Sequence, residues 1–145
     1  MQRKPISQQR VLVADDMPSM RGLVRAVLRH LGFTQIDEAF DGASAFTTIA
    51  DRHPDLVICD WNMPRMSGLE LLQVVRSTPE IATTPFLMVT AEHQRDQVTT
   101  MMELRVIGYV VKPFQPLTLQ NQIRQWLNRP LERAVAAHRT PSVPG

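Results

Sequence analysis

The chain has 145 residues, of which 43% are hydrophobic and 21% are charged, and this mixture predicts one globular domain with a sizeable core. Its single cysteine excludes an intrachain disulfide framework and favours a reducing, intracellular compartment. No apolar run reaches the ~20 residues of a membrane span, and the N-terminus lacks the apolar stretch of a signal peptide, so we expect a cytoplasmic protein without a membrane anchor.

The net charge of +2 comes from the two ends of the chain. Residues 1–10 contribute +3 and residues 129–145 contribute +2, which leaves residues 11–128 at −3. The folded middle is therefore mildly acidic, and the basic whole-chain pI does not indicate nucleic-acid binding.

The first part of the chain alternates between strand and helix patterns. Residues 10–15 (RVLVAD) form an apolar run that ends in acids and predict a buried strand. Pro18 opens a helical pattern that Gly32 should end in the left-handed region. Residues 34–40 predict a weaker strand, and a turn at Asp41 leads into a helix over 43–52.

The same alternation continues to residue 127. Strands are predicted at 55–60, 85–90 and 108–112, and helices at 67–77, 94–105 and 117–127. We assign Leu69, Leu72, Val74 and Val75 to the apolar side of the third helix. Five βα units predict an α/β fold of three layers, a doubly wound (βα)5 flavodoxin-like domain around a five-stranded parallel sheet. The domain should cover 10–128, after an N-terminal extension at 1–9 and before a C-terminal tail at 129–145 that forms a short helix at 131–138 or is disordered.

Polar residues follow the apolar strands where the strands end. Asp15 and Asp16 follow the first strand, Asp60 ends the third, Thr90 the fourth and Lys112 the fifth. The carboxyl ends of parallel strands meet at one edge of a sheet, which is where such folds bind ligands. Three carboxylates repel each other unless a cation lies among them, and hard oxygen ligands suit Mg²⁺. With a lysine as a point charge, this set predicts phosphoryl transfer to Asp60 as nucleophile.

Each of these residues also has an ordinary structural explanation. An acid at a strand end is more often a helix cap than a metal ligand, and Thr90 alone is as often structural as functional. Tyr109 could be an amphipathic edge residue, and Cys59 a buried small hydrophobe. We expect Trp61 to be partly exposed. The four histidines lack the spacing of a zinc site.

The segments VLVADDMPSMR, EAFDG, ICDWNMPRMSGLELL, FLMVTAE and GYVVKPF resemble the response-regulator receiver family, most of all its single-domain chemotaxis members, over residues 10–128. The resemblance implies that Asp60 accepts phosphate from the phosphohistidine of a sensor histidine kinase or a phosphotransfer protein. It implies that Asp15, Asp16 and the Asn62 backbone carbonyl bind Mg²⁺ together with Asp60, with Mn²⁺ as a substitute. The remaining implied roles are Thr90 and Tyr109 as the switch pair, Lys112 as the phosphate contact before a cis peptide to Pro113, and Asn62 and Glu92 as residues that tune autodephosphorylation.

One segment departs from the family pattern. The turn before the last strand carries Arg105 and Val106 where the family usually has a small residue, often glycine. Because bulky residues tolerate positive φ poorly, we expect this turn to have a different shape, on the face where the family meets its partners.

Three functions remain to be compared. The first is a signalling switch that is not an enzyme for outside substrates and acts on a downstream protein, with the flagellar motor switch as a candidate. The second is a phosphorelay carrier or phosphate sink that uses the same site without an output partner. The third, an aspartate-nucleophile phosphohydrolase, is disfavoured because Asn62 stands where such enzymes place their acid/base aspartate. The residues after 128 are too few for a helix-turn-helix, so we expect no DNA-binding module.

Overall fold

The computed structural model describes residues 3–91 and 95–129, and the tail helix expected at 131–138 lies outside these ranges. The strands are β1 Arg10–Ala14, β2 Gln35–Ala39, β3 Leu56–Asp60, β4 Phe86–Thr90 and β5 Gly108–Val111. The helices are α1 Pro18–Leu31, α2 Gly42–Arg52, α3 Gly68–Arg76, α4 Arg95–Glu103 and α5 Pro116–Leu127, with short 3-10 turns at Ile6–Gln8 and Pro79–Ile81.

The five strands form one parallel sheet in the order β2-β1-β3-β4-β5. The chain reverses its direction of winding between β1 and β3, so the carboxyl ends of these strands border the crevice of the fold. The predicted doubly wound, three-layer α/β fold is confirmed.

Two apolar clusters cover the two faces of the sheet. One cluster contains residues of α1 and α5, and the other contains residues of α2, α3 and α4. Every residue of β3 and β4 is buried, which explains why these strands are continuous apolar runs instead of alternating ones.

The helix ends follow from local sequence. Gly32 ends α1 with φ 107°, and its N–H donates to the Arg29 carbonyl (3.0 Å). At the start of α3, Ser67 and Glu70 form a reciprocal capping box, which fixes the point where the loop after β3 joins the helix.

The assignment of Val74 to the apolar side of α3 is wrong. Val74 is 39% exposed, whereas Leu71, Leu72 and Val75 are fully buried. At 100° per residue, the buried positions define a face that points away from Val74.

The expectation of an altered turn before β5 is also wrong. Arg105 itself adopts the left-handed conformation, with φ 59°. Its N–H donates to the Met102 carbonyl (3.0 Å), and the Val106 N–H donates to the Met101 carbonyl (3.2 Å). These two bonds form a Schellman motif, so the arginine occupies the position that glycine usually takes at a helix end.

None of the helices in the described part of the chain combines the length and the hydropathy of a bilayer-spanning segment.

Candidate functional site

Three aspartates meet at the carboxyl edge of the sheet. Asp60 is the last residue of β3 and is buried, Asp15 directly after β1 is buried as well, and Asp16 is exposed. One carboxylate oxygen from each lies within 4.8 Å of the others. The strand ends therefore bring the three predicted carboxylates together.

Lys112 extends over this group from the end of β5. Its Nζ lies 3.2 Å from Asp15 Oδ2 and 3.4 Å from Asp60 Oδ2. The backbone N–H of Lys112 donates to the Thr90 carbonyl (2.7 Å), which ties the ends of β4 and β5 together. The peptide bond between Lys112 and Pro113 is cis.

The electrostatics of the group show an excess of negative charge. Burial and the neighbouring Asp15 carboxylate raise the pKa of Asp60 above its ordinary value, against the opposing effects of Lys112 and the Asn62 N–H. Burial alone would lower the pKa of Lys112, but Asp60 and Asp15 outweigh it and raise that pKa. One ammonium does not balance three carboxylates, and this all-oxygen donor set fits a hard divalent cation.

The helix-cap explanation of Asp15 is wrong, because Met17 is the N-cap of α1 and no side chain of the described residues caps this helix. Asp15 Oδ1 accepts a hydrogen bond from the Met17 N–H (2.9 Å) at the start of α1, while Oδ2 faces Lys112. The same carboxylate therefore serves the local turn and the acidic group.

The loop after β3 holds Asn62 and Trp61 next to Asp60. Asn62 is exposed, and its N–H donates to Asp60 Oδ1 at 3.4 Å. The expectation that Trp61 is partly exposed is wrong: it is 9% exposed and packs in the apolar cluster on the α2, α3 and α4 side. Side chains alternate along an extended chain, so Trp61 points to the sheet face opposite that of Asp60.

Thr90 and Tyr109 lie on the neighbouring strands β4 and β5. Thr90 is fully buried, and its hydroxyl donates to Gln97 Oε1 on α4 (3.4 Å). Tyr109 is half-buried and packs against the apolar cluster that includes α4. Gln97 was missed in the sequence because a polar residue on an amphipathic helix gives no signal of its partner. Glu92 lies outside the described residues.

The loop after β3 packs closely on its surroundings. A β-carbon at Gly68 would collide with the Asp60 carbonyl oxygen, and one at Gly42 would collide with the backbone of Met66. Arg65, in the same loop, forms an ion pair with Asp41 at the start of α2. The sequence indicated a turn at Asp41 but gave no sign of this partner.

The chain is similar to known proteins over most of its length. The family model for the response regulator receiver domain matches residues 11–124. The chain is 41% identical to chemotaxis protein CheY of Pseudomonas aeruginosa over 120 residues, which cover 83% of this chain and 97% of that protein. It is 39% identical to chemotaxis protein CheY-3 of Vibrio cholerae serotype O1, covering 83% of this chain and 92% of that protein.

Comparison with solved structures points to the same family. The structure of the chemotaxis response regulator CheY4 of Vibrio cholerae superposes with a TM-score of 0.74 at 32% identity, covering 81% of this chain and 97% of that one. The chain therefore belongs to the response regulator receiver family, as a receiver-domain signalling protein closely related to the CheY chemotaxis regulators.

Proposed function

We propose that this chain accepts a phosphoryl group on Asp60 from a sensor histidine kinase or a phosphotransfer protein and changes its affinity for a downstream protein. The observation that carries the proposal is the position of Asp60. Its carboxylate is held at the end of a fully buried strand, with Asp15 and Asp16 on one side and Lys112 at 3.4 Å. A rigid support of this kind suits a nucleophile that must meet phosphorus in line.

The transfer balances without a further reactant. A carboxylate oxygen of Asp60 forms a bond to phosphorus as the bond between phosphorus and the donor imidazole nitrogen breaks, and the freed imidazole takes up a proton. Lys112, which bridges Asp15 and Asp60, is within reach of a phosphoryl oxygen on Asp60 and offers it a positive charge.

We place Mg²⁺, or Mn²⁺ in its stead, on the side chains of Asp15, Asp16 and Asp60 and on the backbone carbonyl of Asn62. The excess negative charge and the oxygen-only donor set support this assignment. When bound, the ion supplies positive charge for the phosphoryl oxygens.

The signal would leave the site through Thr90 and Tyr109. A Thr90 hydroxyl drawn toward a phosphoryl oxygen gives up its bond to Gln97, which alters the contact with α4 and the space next to Tyr109. The output face would be formed by α4, β5 and α5, and it carries two exposed apolar side chains, Met102 (72%) and Leu117 (60%). A candidate target is the flagellar motor switch, because the relatives are chemotaxis proteins.

We also propose a self-catalysed reaction, domain bounds and a location for the chain. The chain catalyses its own phosphorylation and dephosphorylation, and Asn62 and Glu92 set the rate of the latter. The receiver domain covers 10–128, with 1–9 as an extension and 129–145 as a tail. Its location is cytoplasmic, consistent with a lone cysteine that is buried and unpaired.

The test is phosphorylation of the purified protein by acetyl phosphate with Mg²⁺, measured by intact-mass spectrometry. We expect one phosphate adduct that disappears in Asp60→Asn and when EDTA removes the metal. Asp51→Asn, an exposed aspartate on α2, is the matched control and should be modified like the wild type. The same adduct on the Asp60→Asn variant would contradict the assignment.

A further inference from the structure

The loop between β3 and α3 contains a strained residue. Arg65 adopts φ 66°, and the Met66 N–H donates to the Pro64 carbonyl (2.7 Å) across it. A residue with a β-carbon and a long side chain adopts this left-handed region at a free-energy cost that glycine does not carry. The strain lies three residues after Asn62, whose carbonyl is the proposed metal ligand.

The Arg65 side chain reaches across to the start of α2. It pairs with the buried carboxylate of Asp41, and its guanidinium carbon lies 6.0 Å from the centre of the Phe40 ring. Asp41 also accepts from the Ser44 N–H (2.7 Å) as the N-cap of α2, and the hydrogen bonds from Ser44, with a smaller effect of Arg65, lower the pKa of Asp41. The pair therefore connects the loop to a firmly held point on α2.

The backbone of the loop is held at other points as well. The Gly68 N–H donates to the Trp61 carbonyl (2.8 Å), and Gly42 packs directly on Met66. These contacts hold the segment 61–67 at Trp61 and at Met66, and the ion pair of Arg65 with Asp41 adds a further connection to the start of α2.

Stability alone does not account for this arginine. The Arg65 side chain is 65% exposed, so solvent screens its charge, and its pair with the buried Asp41 carboxylate contributes less to the free energy of unfolding than a fully buried pair would. Glycine would adopt the same φ without strain. Arg65 therefore carries a conformational free-energy cost, and its side chain fixes the position of the loop.

From this geometry we infer that Arg65 is a positioning residue for the phosphorylation site. Its ion pair with Asp41 holds the loop so that the Asn62 carbonyl stays in place for the metal. The inference rests on the proposed Mg²⁺ site and adds to it a residue from outside the acidic group. Loss of the pair leaves the donors intact and lowers metal affinity, as loss of groups that orient metal ligands does.

Two substitutions test the inference, because they separate positioning from stability. Arg65→Gly removes the side chain and relieves the strain, while Asp41→Asn keeps the cap acceptor and removes the charge. Binding of Mn²⁺ is measured from the electron paramagnetic resonance signal of the free ion, and stability from the urea midpoint. Arg52→Gln breaks another ion pair of an exposed arginine, with Asp37 at 3.6 Å, and serves as the control.

We expect Arg65→Gly to unfold at a urea midpoint equal to or above that of the wild type and to bind Mn²⁺ roughly tenfold more weakly. Asp41→Asn should weaken binding to a similar extent, and the double variant should lose no more than either single one, because the two residues act as one unit. Arg65→Lys should bind more tightly than Arg65→Gly. At saturating Mg²⁺, phosphorylation by acetyl phosphate should return to the wild-type rate in all of these variants.

Wild-type affinity in both Arg65→Gly and Asp41→Asn would overturn the inference and leave the proposed function standing. A fall in affinity that tracks a fall in urea midpoint, or one that Arg52→Gln shares, would overturn it as well. Absence of Mn²⁺ binding in the wild-type protein would overturn the metal site itself, and the inference with it.

Discussion

At the scale of the residue, Asp60 is held in an environment that opposes its own charge. The carboxylate is buried beside Asp15, and the contact with Lys112 offsets these effects only in part, so the pKa of Asp60 lies above its ordinary value. The proposed phosphoryl transfer needs the ionised form of Asp60 as nucleophile. The carboxylates of the metal-free site repel each other, and a bound divalent cation would reduce this repulsion.

We expect this repulsion to appear in a pH titration of the metal-free protein. The Asp60 carboxyl carbon, followed by NMR, should titrate above the range of an ordinary aspartate. Lys112→Met should raise the midpoint further because it removes the positive charge, and Asp15→Asn should lower it because it removes the neighbouring negative charge.

The raised pKa of Asp60 determines how this group changes the free energy of unfolding with pH. The folded state binds the Asp60 proton more tightly than the unfolded state, so ionisation of this group destabilises the fold as pH rises through the raised pKa. Asp60→Asn should therefore unfold at a higher urea midpoint than the wild type near neutral pH, and the difference should shrink in acid. A midpoint of Asp60→Asn below that of the wild type near neutral pH would contradict this explanation.

The sequence predicted these residues to different degrees. The acids, Thr90 and Lys112 could be found because parallel strands bring their carboxyl ends to one edge, whatever the loops do. The roles of Arg65 and Gln97 could not be found in this way. The partner of Arg65 depends on a loop dihedral, and the partner of Gln97 depends on where α4 packs. Trp61 was misjudged because the residue after a strand was taken to have left the core.

At the scale of the element, one arginine connects α3 to the turn before β5. The Arg76 guanidinium, at the last position of α3, donates to the carbonyls of Leu104 (2.8 Å), Ala82 (2.9 Å) and Thr84 (2.7 Å). Burial, with a smaller contribution from the nearby Arg105, lowers the pKa of Arg76 to about 10. Arg76 thus holds the turn that bears the strained Arg105 through the carbonyls of Leu104 and Arg105.

Arg76→Lys should destabilise the domain by about 2 kcal/mol, because an ammonium cannot reproduce the guanidinium fork and leaves part-buried carbonyls without donors. Urea unfolding with far-UV circular dichroism measures the change. Arg29→Lys, an exposed position at the end of α1, is the control and should unfold within ~0.5 kcal/mol of the wild type. Equal stability of Arg76→Lys and wild type would show that the three contacts contribute nothing.

The helices and strands were predictable from the sequence to within a few residues. Their extent depends on local signals, namely the period of the apolar residues and the glycine, proline and capping residues at the ends. The turn at Arg105 was not predictable. Hydrogen bonds to α4 and to Arg76 stabilise its left-handed conformation, which arginine does not prefer by itself. Val74 was misassigned for a related reason. A short helix with five apolar residues in the seven positions 69–75 is compatible with more than one buried face, and only packing against the sheet selects one.

At the scale of the whole molecule, the sheet places the acid site and the proposed output face on connected elements. β4 ends at Thr90 in the site and is followed by α4. β5 contains Tyr109 and ends directly before Lys112. Helix α2 lies in the other half of the sheet, next to β1 and β2. A switch and a phosphate carrier share the site and differ in whether the α4–β5 half responds.

The most direct test is the backbone NMR spectrum with and without beryllofluoride, a mimic of the aspartyl phosphate, in the presence of Mg²⁺. We expect shifts across residues 95–111 that far exceed those of α2, and we expect Thr90→Ala to remove most of the distal shifts while Asp60 still binds the mimic. Coupling between a site and a binding face is typically of order 1–3 kcal/mol, which is enough to move such a two-state equilibrium visibly. Shifts confined to the residues that touch the mimic, in the wild type as in Thr90→Ala, would contradict the switch and leave the protein a phosphate carrier.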